Sequence, residues 1–334
     1  MIPAKRLPAQ PRRWQELWRD AIRDPRELIE SLDLAPLANA VPDDAATGFA
    51  LRVPRGFVAR MRRGYANDPL LLQVLPQAAE LDELPGFTRD AVGDLDARTG
   101  RGLLHKYRGR ALLIATGSCA VNCRYCFRRH FPYAEETAAA DGWSEALAEI
   151  GADATIEEVI LSGGDPLSLS TAKLAELSGA LATIPHVKRL RIHTRLPVVL
   201  PERIDAEFLA WFGRLPFQRV VVLHANHANE LDETVARACA DLARAGATLL
   251  NQSVLLKTVN DDVGTLAALS ERLFFCGVLP YYLHQVDRVA GAAHFEVDDA
   301  RARALVDALA ARLPGYLVPR LVREVAGAAS KVPL

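Results

Sequence analysis

The chain has 334 residues, half of them apolar, with a formal net charge of −1. That length suits one large α/β domain or two ordinary ones with ample apolar surface for a core. The near-neutral charge without a long basic block gives duplex nucleic acid no electrostatic footprint, and no apolar run reaches membrane-spanning length, so neither partner is expected.

The start, Met1 to Trp14, lacks the apolar stretch of an export signal, and five cysteines, three of them crowded together, do not resemble a disulfide framework. A cytoplasmic, reducing location is expected. Residues 1 to about 95 have helical periodicity, with Trp14, Leu17, Trp18 and Ile22 on one face and Leu28, Ile29 and Leu32 on another. Breaks at Pro54-Arg-Gly56, Pro69 and Pro85-Gly86 cut the segment into short helices. Residues 1–95 are therefore expected to form an N-terminal helical cap, with Trp14 and Trp18 as core anchors, on a main domain of residues 96–334.

From about residue 110 strand-like and helical stretches alternate. Apolar runs at Ala111–Ala115, Glu158–Leu161, Arg189–His193, Arg219–His224, Leu249–Leu256 and Pro280–Gln285 are followed by helical patterns starting near Gly142, Thr171, Pro201, Asp232, Asp262 and Asp298. Six such alternations predict a parallel sheet with helices outside, either a curved partial barrel or a doubly wound sheet. In both, ligands gather beyond the C-terminal ends of the strands. Each run here ends in polar residues: the cysteine loop, Ser162-Gly-Gly-Asp-Pro-Leu167, His193-Thr-Arg195, His224-Ala-Asn-His227, Asn251-Gln-Ser with Lys257, and Gln285-Val-Asp287.

The first of these is the most informative. Cys119, Cys123 and Cys126 follow a C-x3-C-x2-C spacing, three thiols for one inorganic centre with a ligand missing. An iron–sulfur cube held by three cysteines leaves one iron open to a non-protein ligand. A structural zinc with His130 as fourth ligand is the competing reading. Lysine is scarce: only Lys5, Lys106, Lys173, Lys188, Lys257 and Lys331 occur among 40 basic residues. A lysine kept in such a background favours a need for a primary amine, which arginine cannot supply. Cys239 and Cys276 lie in helical, apolar surroundings and read as small core residues.

The cysteine spacing, with Tyr125 before the third thiol, resembles the radical S-adenosylmethionine enzymes. Cys126-Phe-Arg-Arg, Ser162-Gly-Gly-Asp-Pro-Leu, Arg191-Ile-His-Thr-Arg-Leu-Pro-Val-Val, Asn251-Gln-Ser-Val-Leu-Leu and Ser330-Lys331 narrow the resemblance to lysine 2,3-aminomutases over residues 100 to 334. The chain ends soon after Lys331 and so looks most like the members that make β-lysine for elongation factor P. The resemblance implies a partial (β/α)6 barrel that converts L-α-lysine to β-lysine using a [4Fe-4S] cluster, S-adenosylmethionine and pyridoxal 5'-phosphate. It implies that Cys119, Cys123 and Cys126 hold the cluster and that Lys331 carries pyridoxal phosphate, with Lys257 as runner-up. Gly163, Gly164 and Asp165 would meet S-adenosylmethionine, with Gln252 and His224 near its adenosyl group. Lys106, in place of an arginine, Tyr107 and Arg195 would line the pyridoxal phosphate pocket. Arg128 would hold the substrate carboxylate, and Asp287 and Glu324, the latter in place of an aspartate, its distal ammonium. The product would reach elongation factor P through a separate ligase. Radical chemistry on another amino acid or a macromolecule, and a zinc-stabilised interaction module, are the alternatives; the oligomeric state, monomer or homo-oligomer, is left open.

Overall fold

Runs of Val, Ile and Leu favour extended backbone, and in a computed structural model they lie side by side in chain order. The structure describes residues 13–37, 41, 48–138 and 143–334. One sheet contains β1 (Arg98–Gly100), β2 (Leu103–Tyr107), β3 (Arg110–Thr116), β4 (Glu158–Gly163), β5 (Arg189–Thr194), β6 (Gln218–Leu223), β7 (Ala247–Leu255), β8 (Leu279–Gln285), β9 (Arg320–Arg323) and β10 (Val332–Pro333), each bonded to the next. Strands β3 to β9 are parallel. Antiparallel β1, β2 and β10 extend the two edges.

The sheet is rolled. Tyr107 on β2 donates its hydroxyl hydrogen to Glu324, the residue after β9. On a flat sheet those strands would lie roughly 34 Å apart, at about 4.8 Å per step. Strands β1 and β10 do not pair, so the barrel is partial and its gap is bridged by side chains.

Helices Ser144–Ala152, Thr171–Leu181, Ala206–Phe212, Glu233–Arg244, Val263–Phe275 and Asp299–Arg312 supply the crossovers. Five of them start where a side chain caps the free backbone N–H groups: Ser170, Asp205, Asp232, Asp262 and Asp298. The start expected at Pro201 is a 3-10 turn, Pro201–Arg203, with the helix delayed to Ala206; the one placed near Gly142 falls outside the described residues. In the N-terminal segment, Trp14–Arg19 and Pro25–Ser31 are helical, whereas Ile22 forms a β-bridge with Val53. Trp14, Leu28, Phe57 and Leu70 share one core with Leu113, Val159 and Ile192 of the sheet. Cys239 and Cys276 are buried in that core as well. Among the described residues no helix is long and apolar enough to cross a membrane.

Candidate functional site

The rolled sheet encloses a cavity of about 930 Å³ at the strands' C-terminal ends, at the upper end of the range for small-molecule sites. The three loop cysteines, Gly163, Gly164, Arg128, Gln252, Asp287, Glu324 and Lys331 all border it. Lys257, just past β7, is exposed and does not, which removes it as an alternative to Lys331.

The cysteine loop is pinned from outside. Arg52 and Trp18 donate to the Cys119 carbonyl at 2.9 and 3.3 Å, and the fully buried Arg124 pairs with Glu80, which also receives Arg129 at 2.7 Å. Burial, reinforced by the neighbouring cysteines, pushes the Cys119 thiol well up and Cys126 to about 11. A cationic centre among them, such as a metal–sulfur cluster, would favour their thiolate form. Among the described residues no three His, Cys, Asp or Glu side chains come close enough to share one metal ion. His130 meanwhile places Nε2 3.0 Å from the Ala290 carbonyl.

Gly163 and Gly164 let β4 run tight against this loop. Gly163 has φ +116°, and a Cβ on Gly164 would sit 2.4 Å from the Ser118 carbonyl oxygen. Their N-terminal neighbour, the end of β3, is tied in by the 2.7 Å bond from Gly164 N–H to Thr116 O. Asp165, expected to meet S-adenosylmethionine, borders the cavity, and its buried carboxylate accepts several hydrogen bonds from the protein. It accepts from the Thr194 hydroxyl at 2.7 Å and from the backbone N–H groups of Leu167, Arg195 and Leu196 at 2.7 to 3.0 Å. It fastens the end of β4 to that of β5.

Arg195 is also displaced from its expected place. Its Nη1 donates to Cys123 Sγ at 2.8 Å and its Nη2 to Gln73 and Glu230, so it belongs to the sulfur end and not with Lys106 and Tyr107.

At the opposite end, Lys331 Nζ donates to Glu324 Oε2 at 2.8 Å, and Tyr107 donates to Oε1. Burial opposes ionisation of Glu324, but Lys331, Tyr107 and Lys106 outweigh it and hold the carboxyl below its ordinary range. Among the described residues Asp287 has no such neighbour in hydrogen-bond contact: burial, resisted by Lys331 and reinforced by Glu324, raises its pKa to about 7. Arg128 donates from Nε to Asp94 at 2.6 Å and from Nη1 to Ser162 at 3.0 Å. Lys106 reaches the other Asp94 oxygen at 2.6 Å. Burial pushes Asp94 up, yet the two cations hold it below the usual carboxylate range.

His193, His224 and His284 bring Nε2 atoms to the interior without a partner, as Gln252 does with Oε1. Burial keeps all three imidazoles neutral, His224 with a pKa lowered to about 4. Arg110, Arg191 and Arg320 line the cavity near Tyr282, whose ring centre is 5.8 Å from Lys331 Nζ, and Arg191 Nε is buried without a partner. A phosphate-bearing group beside Lys331 fits this arginine set. Sequence reasoning missed Asp94, Arg110, His284 and the Tyr281–Tyr282 pair. Polar side chains at every second position, Arg191 and His193 on β5 and Tyr282 and His284 on β8, were the available signal for an interior-facing row.

No model of a protein family matches the chain. It is 49% identical to an L-lysine 2,3-aminomutase of Escherichia coli (strain K12), over 96% of this chain and 94% of that protein. It is 45% identical to an L-lysine 2,3-aminomutase of Haemophilus influenzae over 99% and 98%, and 33% identical to one from Clostridium subterminale over 96% and 78%. Among solved structures, a radical SAM methyltransferase from Sphaerobacter thermophilus aligns with a TM-score of 0.45 at 18% identity, covering 66% of this chain and 68% of that one.

Proposed function

Since the chain belongs to the L-lysine 2,3-aminomutase family, we propose that it is a radical S-adenosylmethionine isomerase converting L-α-lysine to β-lysine with a [4Fe-4S] cluster and pyridoxal phosphate. The observation that carries this reading is one cavity bordered by the three thiols of the cysteine loop and by the amine of Lys331. When bound, the cluster with S-adenosylmethionine supplies a carbon radical able to take a hydrogen, and pyridoxal phosphate supplies a conjugated ring across which an unpaired electron spreads.

The protein's own groups bind and orient. Cys119, Cys123 and Cys126 supply the thiolates, on a loop fixed by Arg52, Arg124 and Arg129. Gly163 and Gly164 leave the wall flat where S-adenosylmethionine would lie, and Gln252 and His224 offer it unpaired polar atoms. Arg128, already oriented by Asp94, presents a planar donor to the substrate carboxylate. Asp287 and Glu324 face the distal ammonium, a pairing that discriminates against neutral side chains of equal length. Lys331 carries pyridoxal phosphate, with Tyr107 and Lys106 beside it. Glu324 holds the Lys331 ammonium while that amine is free.

The finer reading, in which β-lysine passes through a separate ligase to elongation factor P, is what the family resemblance of the sequence implies. The decisive experiment is anaerobic incubation of iron- and sulfide-reconstituted protein with lysine, S-adenosylmethionine, pyridoxal phosphate and a reductant. β-Lysine is the expected product, and a fully loaded protein that turns over arginine or ornithine but not lysine would reject the substrate assignment. Cys123→Ala should remove both the cluster's brown absorption and turnover.

A further inference from the structure

The Arg195 guanidinium lies against a sulfur, and none of the binding roles above uses it. Nη1 donates to Cys123 Sγ over 2.8 Å, while Nη2 donates to Gln73 Oε1 at 2.7 Å and Glu230 Oε2 at 2.9 Å. Its backbone N–H is bound by Asp165. Gln73 is in turn held by Asn226 Nδ2 at 3.0 Å and donates to Glu230 at 3.1 Å, and Glu230 accepts the Asn226 N–H at 2.9 Å. The guanidinium is also sandwiched, with its carbon 5.5 Å from the Phe57 ring and 5.7 Å from that of Tyr125. Three separate parts of the chain thus fix one buried cation on one thiol. The other arginines around the loop are used differently: Arg52 reaches a backbone carbonyl, Arg124 and Arg129 share the Glu80 carboxylate, and Arg128 pairs with Asp94.

We propose that Arg195 sets the reduction potential of the cluster held by Cys119, Cys123 and Cys126, favouring the reduced form through a charged N–H···S bond to Cys123. The inference rests on the cluster reading of the cysteine loop. One electron, from a low-potential one-electron donor, enters the cluster; no bond breaks and no proton moves, so the cluster becomes more negative by one charge. A guanidinium stays protonated throughout. In a buried setting its attraction for that added charge is weakly screened, and hydrogen bonds to cluster sulfurs are among the determinants of potential. Arg195 acts through its ligand partner and is a positioning residue.

The test is potentiometric titration, followed by electron paramagnetic resonance, of anaerobically reconstituted full-length protein without S-adenosylmethionine, pyridoxal phosphate or lysine. Arg195→Gln leaves Glu230 an unpaired buried carboxylate, so Arg195→Gln/Glu230→Gln and Arg195→Lys accompany it. Expected are wild-type iron and sulfide content and a more negative midpoint in the Gln variants. At fixed poise the reduced-to-oxidised ratio should fall about tenfold, equivalent to ~59 mV for one electron. Arg195→Lys, which keeps the charge, should recover most of the shift. Variants that load a full cluster with an unmoved midpoint overturn the proposal while leaving the cluster reading intact, and the double and Lys variants decide it if Arg195→Gln does not fold. Wild-type protein that takes up no iron and sulfide overturns both.

Discussion

Asp287 and Glu324 flank Lys331 in opposite electrostatic states. The Asp287 carboxyl, ordinarily ionised above 3.8, keeps its proton to about 7 because burial outweighs the pull of Lys331. The unfolded chain releases this proton earlier, so the group lowers stability as pH rises from about 4 to about 7 and adds no further slope above. An ammonium docking beside Asp287 favours its ionised form. Lysine binding to protein free of pyridoxal phosphate should therefore tighten by about tenfold per pH unit up to about 7 and then level off. Calorimetric titration across that range checks this, and Asp287→Asn should flatten the profile. Asp94 is buried between Arg128 and Lys106, so Asp94→Asn strips the buried Arg128 and the half-buried Lys106 of a shared countercharge and should cost about 3 kcal/mol, read as a lower Tm. The cysteines and Lys331 were legible because spacing and scarcity are properties of the sequence itself. Asp94 was not, since it sits in an irregular turn with no period, 34 residues from the arginine it orients.

Among elements, the join between β4 and the cysteine loop is the least tolerant of added atoms. Gly164→Ala places a methyl carbon 2.4 Å from the Ser118 oxygen and should cost about 1–3 kcal/mol and lower the iron bound per chain. Gly179 is the contrast: it lies in helix Thr171–Leu181 with open space around it, and Gly179→Ala should raise stability by about 0.5–1 kcal/mol with iron content unchanged. Thermal denaturation with iron and sulfide analysis separates the two. Six of the seven parallel strands were legible as apolar runs ending in polar residues, and five helix starts are fixed by local caps. Of the remaining four strands, Arg320–Arg323 has four residues and Val332–Pro333 two, and both are extended because neighbouring strands pair with them. Arg195 shows the same limit at a site, for its residue type suited a phosphate, while the roll of the sheet turned it toward Cys123.

Over the whole molecule, the N-terminal segment and the barrel are held together at the cysteine loop by Glu80, which serves both Arg124 and Arg129. Glu80→Ala leaves both guanidinium groups buried without their carboxylate; the expected loss is about 3–5 kcal/mol, with faster proteolysis of the segment before residue 95 and weaker cluster retention. The partial barrel's rim has a different weakness. Where β1 and β10 fail to meet, the wall is buttoned by a phenol, two amines and one carboxylate. A woven seam must lose a strand to part, whereas this one gives way when four side chains let go. Amide protons of β1, β2 and β10 should accordingly exchange ahead of those in β4 to β7, and added salt should widen that difference, making the bore of the enzyme a slit that unfastens lengthwise.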